Sequence, residues 1–99
     1  MRILTIAAVV VTAAASTSAF AADARLTDGQ FVKASHCRGL ASGAEAARFD
    51  SLLKAQRLGR SSHIRDRADS ARSEGERLSR TDAAAAQAAL TGECARFGA

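Results

Sequence analysis

From Leu26 onward the apolar residues recur at steps of three and four, and turn and cap residues divide them into four blocks. No β-branched run alternates with polar residues, and no Asn-Gly or Asp-Gly turn links two apolar strands. The Asp28-Gly29 pair belongs to a different signal. Thr27 and Gln30 have capping-box spacing, with Leu26 and Phe31 in the staple positions around them. A first helix is expected from Asp28 to about Ala41, with Gly39 weakening its end. Ser42 and Glu45 repeat the capping-box spacing. A second helix then runs from about Gly43 to Leu58, with Ala46, Phe49, Leu52 and Leu53 on one face and an Asp50–Lys54 pair at i,i+4 on another. Gly59 suits the position after its C-cap.

Ser61 or Ser62 can cap a third helix reaching about Arg80. Its inward stripe is Ile64, Ala68, Ala71, Gly75 and Leu78, a four-three spacing that keeps facing one partner. Small residues in that seam allow close helix approach but bury little area. Thr81 or Asp82 begins a fourth helix over "DAAAAQAALTGECARFG", with Ala83, Ala86, Leu90, Cys94 and Phe97 on one stripe. Without glycine or proline in "SRTD", helices three and four can be drawn as one. The capping chemistry of Thr-Asp favours a break, which would make them antiparallel neighbours. The pattern predicts an all-α chain, a small bundle of three or four helices.

The N-terminus reads differently. One cation, Arg2, precedes an apolar run from Ile3 to Ala15, and small polar residues follow. Ala19 and Ala21 satisfy the A-x-A cleavage rule, so residues 1–21 are expected to be a signal peptide removed after Ala21. A retained anchor would want about 20 strongly apolar residues, more than this run holds. With no cysteine near the cut, a lipid-anchored product is not expected. The single domain is then 22–99, exported to the bacterial periplasm or secreted, with no membrane span once the signal is gone.

Composition adds a constraint. After Ala21 the chain keeps 13 of its 14 Lys and Arg and all 10 Asp and Glu, so it is basic. Leu, Ile, Val and Phe number only 12 there, against 18 alanines. Alanine is the best helix former but buries little. A thin core in so short a chain calls for a covalent or other staple.

The two cysteines supply one. In an exported chain without C-x-x-C, a single disulfide is the expected use of Cys37 and Cys94. Both lie on inward stripes, Cys37 with Ala34 and Ala41, Cys94 with Leu90 and Phe97. His36 beside Cys37 invites a metal reading, helped by His63. Adjacent helical residues point about 100° apart, however, and the usual Cys/His zinc spacings are missing. The same divergence argues against Cys37 as a nucleophile with His36 as base. No paired-carboxylate site, phosphate loop or nucleophile–base pair occurs elsewhere, so no catalytic residue, no metal and no cofactor are expected.

Charge is the remaining signal. The segment Arg57–Arg80 holds seven arginines and four acids, and the rest of the chain after Ala21 holds six of each sign. The plain interpretation is a solvated helix laced by Arg65–Asp69, Asp69–Arg72, Glu74–Arg77 and Glu76–Arg80 pairs. The functional interpretation is a contact surface, with Arg65, Arg72 and Arg80 in one row and Arg67 on the flank of the seam. Interleaved aromatics for nucleic acid are absent, and so are large apolar residues for a membrane surface. The partner expected is an acidic protein or an anionic envelope component. The chain thus reads as a non-catalytic binding or accessory protein of the cell envelope. A conditionally disordered chaperone or assembly partner is the alternative, because too little apolar area leaves a chain unfolded.

Overall fold

A computed structural model describes residues 25–98, and the segment 1–21, expected to be a signal peptide, lies outside the described residues. The described chain is all-α, with no strand. Its helices are α1 (Asp28–Leu40), α2 (Gly43–Arg57), α3 (Ser62–Thr81), α4 (Ala83–Thr91) and a final turn, α5 (Ala95–Gly98).

The helix boundaries follow local chemistry. At α1 the capping box is complete: Gln30 N–H donates to Thr27 Oγ1 at 3.1 Å, and Thr27 N–H donates to Gln30 Oε1 at 2.9 Å. Ser61 Oγ accepts from Ile64 N–H at 3.2 Å to start α3. Asp82 ends α3 and also starts α4, its carboxylate accepting from Ala85 N–H at 3.1 Å. The break between helices three and four is therefore present. Gly59 has φ +81°, the left-handed conformation expected just past α2. Two expectations need correction. Ser42 precedes α2 but makes no side-chain capping bond, and Glu45 instead lies 3.7 Å from Arg48. The fourth helix does not continue to the C-terminus. It stops at Gly92, whose N–H donates to the carbonyls of Ala88 and Ala89, and a short turn delivers Cys94 before α5.

Helix α1 is the centre of the bundle. α3 lies along it in the same direction: Phe31 and Ala68 line one cleft, His36 reaches Ala71, and Gly39 meets Arg72 and Glu76. α2 returns antiparallel on one side, and α4 folds back so that Glu93 meets Lys33 and Cys94 meets Cys37. The α1–α3 contact is the most extensive in the molecule, whereas α2 and α3 scarcely touch.

The reason α1 and α3 come so close is glycine on both sides. A Cβ on Gly39 would sit 2.1 Å from the Arg72 carbonyl oxygen, and one on Gly75 would sit 2.3 Å from that of His36. Gly39 is therefore a contact residue inside α1 rather than a weakness at its end.

The Cys37–Cys94 disulfide is formed, with both sulfurs in the core. Around it cluster Leu40, Ala41, Ala46, Phe49, Ala86 and Leu90. Phe97 packs edge-on against Phe49, with centroids 6.5 Å apart, and so anchors α5 to α2. At the other end of α1, Phe31 is 1% exposed and is covered by Arg60.

Candidate binding surface

The seam of α3 faces as its spacing predicts: Ala68 and Gly75 are buried, and Ile64, Ala71 and Leu78 are half-buried. That fixes which arginines reach solvent. Arg65, Arg67 and Arg80 are exposed and have no ion-pair partner among the described residues, as is also true of Arg77. Arg72 is half-buried, its Nε 3.3 Å from Glu76 Oε2.

The four ion pairs expected along the third helix do not form. Asp69 instead pairs across to Arg57 of α2, at 3.3 Å and 3.4 Å. Glu76 pairs with Arg72 rather than Arg80. Likewise Asp50 takes Arg38 of α1 at 2.6 Å and not Lys54. In each of the two cross-helix cases a partner brought by tertiary packing displaces the local one.

Arg60 leaves the charged surface altogether. Its side chain is 4% exposed and its guanidinium makes four hydrogen bonds. Nε donates to the Gln56 carbonyl at 2.8 Å and Nη1 to Asp28 at 2.7 Å. Nη2 donates to the Leu26 carbonyl at 2.7 Å and to Gln56 Oε1 at 3.1 Å. The ion lies 4.7 Å from the Phe31 ring centroid, within cation–π range. This is a structural clasp between the start of α1 and the end of α2, and Gln56 completes it by accepting from Leu26 N–H at 3.0 Å.

Among the described residues, depressions open on both flanks of α3. One, of about 460 Å³, opens between α1 and α3 over Val32 and Ala71, with His63, Asp66, Arg67 and Glu74 around it. Its single arginine faces two carboxylates. The other, of about 270 Å³, is the cleft left where α2 and α3 scarcely touch. Phe31, Leu53 and Ala68 form its floor, and Lys54, Arg57 and Arg72 stand on its rim with Asp50 and Asp69. The candidate arginines thus separate: Arg72 faces the α2–α3 cleft, and Arg67 faces the opposite groove. Lys54 and Arg57 were not legible as site residues, because only the packing of α2 beside α3 brings them there.

Two carboxyls are held below their ordinary values. For Asp50 the main cause is the hydrogen bond from Arg38, opposed by desolvation and aided by the charges of Arg38 and Arg72. For Glu93 the main cause is the hydrogen bond from Lys33, at 2.6 Å.

His36 is half-buried, and its Nδ1–H donates to the Ala71 carbonyl at 3.2 Å. The adjacent pair that invited a metal reading is therefore engaged otherwise, Cys37 in the disulfide and His36 with α3. Among the described residues no group of three or more His, Cys, Asp or Glu is placed to hold a metal ion. No helix among them is long and apolar enough to cross a membrane. Compared with known proteins, the chain matches no family, no curated protein and no solved structure.

Proposed function

We infer that the chain is an exported, non-catalytic binding or accessory protein of the cell envelope, with the arginines of α3 as its contact surface. The observation that carries this is the charge left over after folding. Arg65, Arg67, Arg77 and Arg80 stand on one helix without an ion-pair partner among the described residues, while Asp66 and Glu74 are the only unpaired acids on it. The disulfide is compatible with export, since such bridges persist in oxidising compartments. The partner is an acidic protein or an anionic envelope component.

The test is capture from envelope extract on the immobilised, oxidised protein. Capture should weaken as salt rises from low to physiological levels, because exposed charges are screened beyond about 8–10 Å. The Arg65→Glu/Arg80→Glu double variant should lose it. Capture indifferent to both salt and charge reversal contradicts the assignment.

The thinness of the core favours the second reading, a conditionally disordered chaperone or assembly partner. Phe31, Leu40, Phe49 and Leu90 are the only buried hydrophobic side chains larger than cysteine among the described residues. A sharp cooperative melt by circular dichroism excludes that reading, and a broad loss of helix supports it.

A further inference from the structure

We propose that the cleft between α2 and α3 receives acidic side chains from an extended or helical segment of a partner protein. The inference rests on the binding role given above and narrows it to one face. Three features of the cleft lead to it.

First, the cleft is open because α2 and α3 each pack on α1 and scarcely on each other. The contact across its mouth is the Arg57–Asp69 pair, whose side chains are 45% and 62% exposed. Exposed pairs of this kind contribute little to stability, so an incoming carboxylate can compete with Asp69 for Arg57.

Second, the charge is unbalanced toward cations. Lys54, Arg57 and Arg72 line the cleft against Asp50 and Asp69; Asp50 is already held by Arg38 from α1, and Arg72 is shared with Glu76 one turn along α3. Lys54 has no ion-pair partner among the described residues. The groove on the other flank of α3 has the opposite balance, with Arg67 against Asp66 and Glu74. An acidic segment therefore fits the first and is repelled by the second.

Third, the shape suits side chains rather than a cofactor or a lipid surface. At about 270 Å³ the cleft falls below the roughly 300–1,000 Å³ of small-molecule sites. Its apolar floor of Phe31, Leu53 and Ala68 is recessed, with Phe31 and Ala68 buried, so no apolar face projects from it into a bilayer. A carboxylate can meet the basic rim while the stem of its side chain lies on Leu53.

The experiment is a nuclear magnetic resonance titration of the oxidised protein, with poly-L-glutamate, inorganic phosphate and phosphatidylglycerol vesicles as separate probes. Poly-L-glutamate should shift the amides of Leu53–Leu58 and Ala68–Arg72 and leave those around Val32 and His63 in place. Lys54→Glu and Arg72→Glu should each weaken the interaction by about tenfold, as for loss of a close charged contact. Arg96→Glu makes the same change of charge at an exposed position on α5, outside both α3 and the cleft, and should matter far less. If Arg72→Glu unfolds the chain, Lys54→Glu and the wild-type shift map still decide. Equal losses from Arg96→Glu and Lys54→Glu overturn the cleft, and shifts centred on Arg67 overturn it while leaving an electrostatic role for α3 intact. Equal shifts from inorganic phosphate, or tighter binding to the vesicles, overturn the protein segment as occupant. No interaction with any anionic probe at low salt overturns the cleft and the broader electrostatic role together.

Discussion

Gly39 of α1 and Gly75 of α3 meet backbone to backbone: a Cβ built on Gly75 would lie 3.2 Å from the Cα of Gly39. The two helices are locked at the distance of their main chains, where no other residue fits. The first clash at either position is with a carbonyl oxygen, of Arg72 or of His36, which cannot rotate aside as a long side chain can.

Gly39→Ala and Gly75→Ala should therefore each destabilise the fold by about 1–3 kcal/mol, the usual range for overpacking. Gly29 provides the control, since it lies in α1 and a methyl group added there would meet nothing within 4 Å. Gly29→Ala should be neutral or stabilising by up to about 1 kcal/mol. Midpoints of urea unfolding measure all three. A Gly75→Ala variant as stable as the parent refutes the close approach.

Arg60 gives the second prediction. Arg60→Ala removes the cover of Phe31 and leaves the Leu26 and Gln56 acceptors unmatched, a loss of about 2–3 kcal/mol. Arg60→Lys should recover little of it, because an ammonium lacks the planar fork that reaches Leu26, Gln56 and Asp28 together. Full rescue by lysine in chemical denaturation means that charge alone, and not the clasp, matters.

The disulfide gives the third. It closes a separation of 57 residues, for which chain entropy predicts about 4 kcal/mol of stabilisation. That is close to the whole net stability expected of so small a core. The Cys37→Ala/Cys94→Ala variant should be largely unfolded, with low helicity by circular dichroism. Alkylation of the native, unreduced protein should label no thiol, and labelling of both cysteines in protein isolated from cells would rule out the bridge.

Acid should weaken the fold through Asp50 and Glu93. Both folded pKa values are lowered, chiefly by the hydrogen bonds from Arg38 and Lys33. The stability they contribute is present above the unfolded values of about 3.9 and 4.3. It is lost as pH falls from there through the lower folded values. Both groups are exposed, so the effect is modest and salt-sensitive. Asp50→Asn should flatten the unfolding midpoint between about pH 5 and 3, and an unchanged slope means that the Arg38 contact is not held in solution.

What the sequence made legible was local. The Thr27–Gln30 box, the Asp82 break, the Gly59 stop and the seam of α3 all follow from residues within a turn or two of one another. The disulfide was legible because only one pairing exists and both cysteines lie on inward stripes. The missed features depend on residues far apart in the chain. Arg60 carried the same charge as its neighbours in the sequence, and only the arrival of Phe31 and Leu26 makes it a buried clasp. Asp50 and Asp69 had plausible partners four and three residues away, but α1 and α2 bring arginines nearer. Gly39 resembled a helix terminator until Gly75 lay against it. The candidate surface was half legible for the same reason. The arginine surplus was visible, but the separation of Arg72 from Arg67 onto different flanks, and the recruitment of Lys54 and Arg57, required the bundle.

Site-specific photo-cross-linking in the intact envelope tests the central claim, that the arginine-bearing helix is the contact surface. Ser73 on α3 and Ala88 on α4 are both exposed, and each can carry the photoreactive residue. The account predicts a discrete adduct from Ser73 that disappears at raised salt and in the Arg65→Glu/Arg80→Glu background, with none from Ala88. Adducts from Ala88 alone, or from both positions regardless of salt and charge reversal, would contradict it.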